Sequence, residues 1–477
     1  MDADRRSAVV APSHEDPVVR ALSPVIGGPR GAYAGGSWWT PVRVLLVLVT
    51  LTFALGLVQK APCAAQAWQD GTTRYTQMCY SDIPYLYSGR GFAQGEPPYL
   101  DNGGRYEYLE YPVLTGAFAY GAAVLTHAVF GEPDLAGVSP DRVGGDQGVL
   151  GNIVPFTVVN ALLLFGCALI AVWALAGVHR GRPWDAALFA LAPALALSSL
   201  INWDLLVIAL LATALLAWSR SRPLLAGVLI GLGTAAKLYP LFVLGPILVL
   251  CLRSRRMRAF WQALAGALAA WAVTNLPVAA ANFEGWAQFW TFNSDRGADL
   301  GSLWYAWTLA GHEVSAHTIN LGSWVFLGGS CAAVAGLALF APRRPRLPQL
   351  VFLVVAAFLL VNKVYSPQYM LWLLPLAALA RPRWRDLLIW QAGEIVYFAA
   401  IWLHLSGDLA PAASDATPLP YILSILVRVA GLLWLSAVVL RDIWQPWNDP
   451  VRADGVTDDP AGGVLDDALD LSAVARR

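Results

Sequence analysis

The stretch VRVLLVLVTLTFALGLV, residues 42–58, carries a single charge and is long enough to cross the hydrocarbon core of a bilayer. Apolar runs of similar length recur along most of the 477-residue chain. The composition, 57% hydrophobic against 13% charged, is far too apolar for a soluble domain, where about a quarter of residues are charged. The class is therefore a polytopic, all-α membrane protein. A formal net charge of zero argues against nucleic acid as a partner, which needs a basic surface. Many of the 21 tryptophans stand near the ends of apolar runs, as interfacial anchors do.

Working outward from that first run, residues 1–41 are polar and rich in Gly, Pro and Arg, a composition that predicts a disordered tail. Arg5, Arg6, Arg20, Arg30 and Arg43 precede or open the run, which places the N-terminus in the cytoplasm by the positive-inside rule. Residues 42–58 also resemble a secretory signal, with Ala65-Gln66-Ala67 as a cleavage site, but the preceding tail is long for such a signal. An uncleaved first span carries the polar loop 59–111 to the outside. Further spans are expected at 113–130, 153–178, 185–201, 205–218, 224–252, 260–281, 319–341, 348–364, 368–380, 386–404 and 420–442. That gives a body over 42–442 of about twelve spans, between eleven and thirteen. Residues 282–318 form a second large outer loop, and 443–477 a disordered, acidic, cytoplasmic tail.

Basic turns at Arg253–Arg258, Arg343–Arg346 and Arg381–Arg385 orient the second half. The first half is in conflict. Arg180, Arg182, Arg220 and Arg222 look like cytoplasmic markers, yet simple alternation puts both turns outside. A hairpin bent at Lys237-Leu238-Tyr239-Pro240 would bring Arg220 and Arg222 inside but gives thirteen spans. The expectation is therefore twelve, with 224–252 a kinked single pass and the side of Asp204 open.

Polar groups in so apolar a body are functional candidates, because burying charge is costly. Asp82 lies in Tyr80-Ser81-Asp82-Ile83-Pro84-Tyr85 of the first loop. Lys237 stands beside Pro240, which frees backbone groups, and has no evident local partner; this suggests a phosphate-binding helix break. Asn362-Lys363-Val364-Tyr365-Ser366-Pro367-Gln368-Tyr369 offers several donors for an anion at a helix junction. Arg296 is a further candidate in the loop 282–318, where His312 and His317 read more readily as surface residues. Glu394 and Arg428 should meet at similar depth as a structural ion pair. Tyr85, Arg90, Glu107, Glu110 and Tyr111 belong either to an acceptor site or to the fold of the first loop. Gly227-x-x-x-Gly231 is a helix-packing signal. Cys63 and Cys79 share the outer loop, where a bridge would staple the segment bearing Asp82; both states stand open. No Cys-x-x-Cys, His-Glu-x-x-His, Gly-x-Gly-x-x-Gly or Walker pattern occurs, so neither a metal nor a nucleotide cofactor is expected.

The blocks Tyr80–Tyr85, Gly95-Glu96-x-Pro98-Tyr99 and Tyr108-x-Glu110-Tyr111-Pro112 resemble the first outer loop of GT-C superfamily membrane glycosyltransferases. Lys237–Pro240 and Asn362–Tyr369 resemble two later blocks, in the same order. The nearest patterns are glycosyltransferase family 87, which includes polyprenyl-phosphate-mannose-dependent enzymes, and the mannosyltransferase that adds the first mannose to GPI anchors. The resemblance implies a GT-C helix bundle in the plasma membrane with its site on the extracytoplasmic side. It implies transfer of a sugar, mannose on family grounds, from a polyprenyl-phosphate donor to a glycolipid or glycan hydroxyl. Asp82 would be the general base, and Lys237, Tyr239, Arg296, Lys363, Tyr365, Gln368 and Tyr369 would hold the donor phosphate. Two departures stand out. Pro84 replaces the second carboxylate of the GPI enzyme's motif, and no histidine stands among Ser366–Tyr369, which leaves Gln368 or Tyr369 for the phosphate. A transporter or flippase of a lipid-linked sugar is the rival reading; it would more often show repeated halves, which are not evident.

Overall fold

The computed structural model describes residues 16–19, 21, 38–179, 181–410, 417–453, 458–466 and 468. It is a bundle of helices, as expected for a polytopic membrane protein, with no strand among the described residues. Most of the expected N-terminal tail, with Arg5, Arg6, Arg20 and Arg30, and also Arg180, lies outside the described residues.

In chain order the helices are α1 (Pro41–Ala64), α2 (Asp82–Gly89), α3 (Val113–Phe130), α4 (Gln147–Val178), α5 (Pro193–Ser198), α6 (Asp204–Ser219), α7 (Pro223–Ala236), α8 (Leu244–Arg253), α9 (Met257–Ala281) and α10 (Phe283–Asp295). They continue with α11 (Leu303–Leu309), α12 (Ala316–Phe340), α13 (Leu347–Val361), α14 (Met370–Ala380), α15 (Trp384–Leu405) and α16 (Leu419–Trp444). Seven of these are long and apolar enough to cross a membrane by themselves; α6, α7, α13 and shorter helices ending at Arg253 and Ala380 are apolar but shorter.

Contacts between helix ends sort the bundle into two faces. On one face, Asp82 N–H donates to Ile201 O at 2.8 Å, and Thr115 Oγ1 donates to Ala236 O at 2.7 Å. On the other, Arg220 donates to Gly177 O at 3.0 Å, Arg253 to Ala338 O and Ala341 O at 2.8 and 3.0 Å, and Arg346 to Leu379 O and Ala380 O at 2.7 Å each. Lys237 therefore sits on the Asp82 face and Arg253 on the opposite one. Residues 224–252 form a hairpin, not the kinked single pass that alternation suggested.

The missing parity is supplied by α3. Its first turn bonds Ala236, yet its far end also meets the first loop: His127 Nε2 lies 2.9 Å from Tyr87 Oη, and Gly131 O accepts from Asn152 Nδ2 at 2.8 Å. Along α4, Asn160 accepts from the Trp203 indole at 2.7 Å, and Phe156, one turn nearer the start, stacks on Tyr87 at 4.6 Å. So α4 starts on the Asp82 face and α3 both begins and ends there. Its 18 residues, most of them apolar, imitate a span without making one. Removing that crossing and adding the hairpin leaves twelve passes: α1, α4, the broken segment 183–203, α6, α7, the segment 239–253, α9, α12, α13, the segment 367–380, α15 and α16. Arg182, Arg220, Arg222, Arg253, Arg344 and Arg381 then share the face opposite Asp82, which dissolves the charge conflict.

Tight approaches fix this packing. A Cβ on Gly227 would lie 1.9 Å from Ala263 O, and one on Gly231 2.2 Å from Ala267 O. The small-residue signal therefore marks the parallel contact of α7 with α9, where backbones touch because no side chain intervenes. In the broken third pass, Pro193 leaves the Ala194 N–H for Gln391 Oε1 at 2.9 Å, so the interrupted backbone is satisfied inside the bundle.

The described residues after 442, within 443–453 and 458–466, depart from the expected disordered tail. Buried Asp449 takes two hydrogen bonds from buried Arg346, at 2.8 and 3.0 Å, and Arg452 donates to Arg344 O at 2.7 Å. Ala461 and Leu465 are buried in the core. The acidic residues find their counter-charges in the basic turn 341–346, which folds this stretch onto the body.

The topology is open to labelling. A cysteine introduced at exposed Asp134 should react with a membrane-impermeant maleimide from the same side as one at Glu107, and one at Arg222 only from the other side. Labelling of position 134 from the Arg222 side would make α3 a span and remove the hairpin.

Candidate active site

The first loop is tied to the end of α1 before it reaches Asp82. Cys63 and Cys79 form a disulfide, with Cα atoms 5.8 Å apart. Lys60 Nζ donates to Tyr80 O at 2.6 Å, and Gln59 donates to Met78 O. Ser81 then caps α2 by accepting from Ile83 N–H at 3.3 Å, which sets Asp82 in the first turn.

The Asp82 carboxylate opens to the cavity and is braced on both oxygens. Oδ1 accepts from Tyr80 Oη at 2.8 Å; Oδ2 accepts from Asn202 Nδ2 at 2.8 Å and from Tyr111 Oη at 3.4 Å. Asn202 also donates to Tyr111 Oη at 2.6 Å. Removal from bulk water raises the Asp82 pKa, Asp204 adds to the rise, and the Tyr80 and Asn202 bonds and the Lys237 charge oppose it. A carboxylate of raised pKa is a stronger base, and Oδ1, with a single donor, keeps capacity for a further one.

Asp82 borders a cavity of about 660 Å³ on this face. Of the residues read from the sequence, Glu110, Tyr111, Lys237, Tyr239, Arg296, Lys363, Gln368 and Tyr369 also line it. Lys237 is not without a partner: its ammonium is 3.6 Å from Asp204 Oδ1 and 4.7 Å from the centroid of the Tyr111 ring. Tyr239 and Tyr369 both stack on Trp372, at 4.7 and 4.1 Å. Arg296 pairs with Asp299. Lys363 donates to Asn320 Oδ1 at 2.7 Å and Ser294 O at 3.3 Å. Burial and the neighbouring Arg296 charge lower the Lys363 pKa, the sign of two cations crowded at one place. An anion between them would relieve that repulsion.

The other candidates lie elsewhere. Tyr365 is buried with its hydroxyl on Glu394, 3.0 Å from each carboxylate oxygen. The Arg428 guanidinium sits 3.6 Å from the Tyr365 ring centroid and donates to Gly301 O at 3.2 Å. Glu394 and Arg428 thus do not form the direct ion pair expected of them; the Tyr365 ring stands between. Arg90 pairs with Glu107 and Glu110 at 3.4 and 3.0 Å, and Tyr85 donates to Trp68 O at 3.3 Å, both contacts that shape the loop. His312 stacks on Trp307 at 4.2 Å.

Asn202, Asp204, Trp372, Asn320 and Trp402 were not singled out from the sequence as site residues. Asn202-Trp203-Asp204 does interrupt two apolar runs, but its side could not be assigned while the parity was unresolved. Phe289, Phe292, Trp324, Leu327 and Phe358 give the cavity an apolar wall.

Glycosyltransferase family 87 matches the chain over residues 149–362, a little under half of its length. The resemblance to that family, and through it to the GT-C superfamily, is borne out, and the match supports a membrane glycosyltransferase. No curated protein matches the chain. The match includes Asn202, Asp204, Lys237 and Arg296 but ends before Gln368 and begins after Asp82. The first loop joins this region through the hydrogen bonds of Asp82 and Tyr111.

The disulfide closes a loop whose cysteines are 16 residues apart, which stabilises the segment by about 3 kcal/mol in the chain-entropy picture. Replacing both cysteines by serine should expose residues 64–80 to limited proteolysis while the helices stay intact. An unchanged digestion pattern would show that the Gln59 and Lys60 contacts hold the segment by themselves.

Proposed function

We propose that the protein transfers a sugar, mannose by its resemblance, from a polyprenyl-phosphate donor to a hydroxyl of a glycolipid or glycan, with inversion at the anomeric carbon. The observation that carries this reading is one cavity lined by Asp82, Lys237, Arg296 and Lys363 together with an apolar wall. A base without a cationic partner suits the removal of a hydroxyl proton. Three cations suit a phosphate leaving group, and aromatic and aliphatic side chains suit the chain that follows it.

In this reaction the acceptor hydroxyl hydrogen-bonds to Asp82, which takes the proton as the oxygen attacks the anomeric carbon from the face opposite the phosphate. The bond from the anomeric carbon to the phosphate oxygen breaks, and the lipid phosphate leaves with its second negative charge. Lys237, Arg296 and Lys363 stabilise that charge in a site of low dielectric. Gln368 and Tyr369, with Tyr239, orient the phosphate from the cavity wall. No acid is needed, because the phosphate departs unprotonated, and neither a metal nor another cofactor takes part. The basic turns support a cytoplasmic position for the opposite face by the positive-inside rule, and with it an extracytoplasmic site in the plasma membrane and cytoplasmic termini.

Purified protein in lipid should make a glycosylated product from a short-chain polyprenyl-phosphate-mannose and extracted envelope glycolipids, and Asp82→Asn should lose this by about a hundredfold or more with its fold intact. Equal activity in the two would sink Asp82 as the base. A wild type inactive on a panel of lipid-phosphate sugars, but active in a flipping assay, would favour a transporter.

Because Asp82 must be ionised and burial raises its pKa, the acid limb of kcat/KM should fall above the ordinary carboxylate value of about 3.9. Activity is then present above that limb and lost as pH falls through it. A limb at or below the ordinary value would place the base elsewhere.

A further inference from the structure

Asp204 opens α6 on the Asp82 face, and its side chain is 1% exposed. Oδ1 accepts from the Trp372 indole at 2.7 Å and faces Lys237 Nζ at 3.6 Å, while Oδ2 has no hydrogen-bond partner. Lys237 itself is held in the break between α7 and the following helical turn, in extended backbone. The Tyr111 ring lies against the Lys237 ammonium, and the hydroxyl of the same ring reaches Asp82 Oδ2. Among the described residues no ion pair joins Lys237 to Asp82.

We infer that Asp204 is a positioning residue that holds the Lys237 ammonium against the Tyr111 ring and out of an ion pair with Asp82. This rests on the proposed function and deepens it. A buried ammonium needs an anion beside it, and two carboxylates are close to Lys237. If it pairs with Asp204, Asp82 stays free of a cationic partner and keeps its basicity, and Lys237 remains available to the leaving phosphate. If Asp204 loses its charge, Asp82 is the remaining carboxylate. An ion pair there would make Asp82 a weaker base and withdraw the cation from the donor. The other groups at Asp82 are already committed: Lys60 to Tyr80 O, and Tyr80, Tyr111 and Asn202 to the carboxylate itself. Trp372 completes the device, since its indole bond orients Asp204 while its ring carries Tyr239 and Tyr369.

The test has a binding arm and a transfer arm, both on the full chain in lipid. A short-chain polyprenyl monophosphate is titrated by calorimetry against wild type, Asp204→Asn, Asp204→Glu, Lys237→Met and the Asp204→Asn/Lys237→Met double variant. Asp204→Asn should weaken binding about tenfold, the size of one charge-assisted contact, and Asp204→Glu should recover most of it. The double variant should bind no more weakly than Lys237→Met alone, because both changes remove one device. In the transfer arm, Asp204→Asn should raise the donor KM and lower kcat, leave the acceptor KM in place, and move the acid limb to lower pH. Binding by Asp204→Asn equal to wild type, or losses that simply add in the double variant, would overturn the inference. Should Asp204→Asn not fold, Trp372→Phe keeps the carboxylate but removes its orienting bond. A threefold or greater weakening then supports the device, and unchanged binding overturns it. A wild type that binds the lipid phosphate but transfers no sugar would refute the proposed function and leave the Asp204 inference to the binding arm. A wild type that does not bind it refutes both.

Discussion

A bilayer offers no hydrogen bonds to exposed backbone, so each interruption of a spanning helix has to be buried in protein or turned toward a cavity. That constraint organises the molecule. The same holds for the turns that join successive passes: three of them, at 199–203, 237–238 and 362–366, all lie on one face, and each contributes residues to the wall of the same cavity. Non-helical backbone is what lets Asn202, Lys237 and Lys363 leave their helix axes and converge. The polar site exists where the fold is least regular, and the irregularity is tolerated because the site is there.

The first loop is the other half of the site and is held differently. It is fastened to α1 by a disulfide and two side-chain bonds, and to the third pass by Asp82 N–H on Ile201 O. Tyr99 Oη reaches Tyr111 O and Pro112 O at 2.8 and 2.9 Å, which closes the loop on itself at the start of α3. The hydrogen bonds between Asp82, Tyr111 and Asn202 then link loop to membrane body. Two independently anchored pieces thus meet at a single carboxylate.

Much of this was legible in the chain. Apolar run lengths gave the class, and the three polar blocks in order gave the carboxylate, two of the cations and several of the aromatic residues that line the cavity. What escaped was topological. Residues 113–130 have the length and hydropathy of a span, and nothing in their composition reveals that both ends return to one face. That one misreading inverted the apparent side of Arg182 and Arg220, made the hairpin at Lys237 look excessive, and left Asn202 and Asp204 unplaced. The roles of Tyr365, Glu394 and Arg428 were hidden for another reason. Burial depth can be read from position in a span, but the interposition of a ring between two charges depends on how the turn bearing Tyr365 packs against two helices.

The position of α3 has a mechanical consequence. Its Val124, Leu125, Val129 and Phe130 side chains are 47%, 48%, 72% and 56% exposed, on a helix whose two ends lie at the Asp82 face. An apolar flank so placed suits the hydrocarbon just beneath the headgroups, as that of an interfacial helix does. It acts as a float. The height of the cavity is thereby referenced to the surface of the nearer leaflet, independent of the total bilayer thickness. A thicker or thinner membrane would be accommodated at the opposite, arginine-rich end, with the Asp82 carboxylate still at the same level.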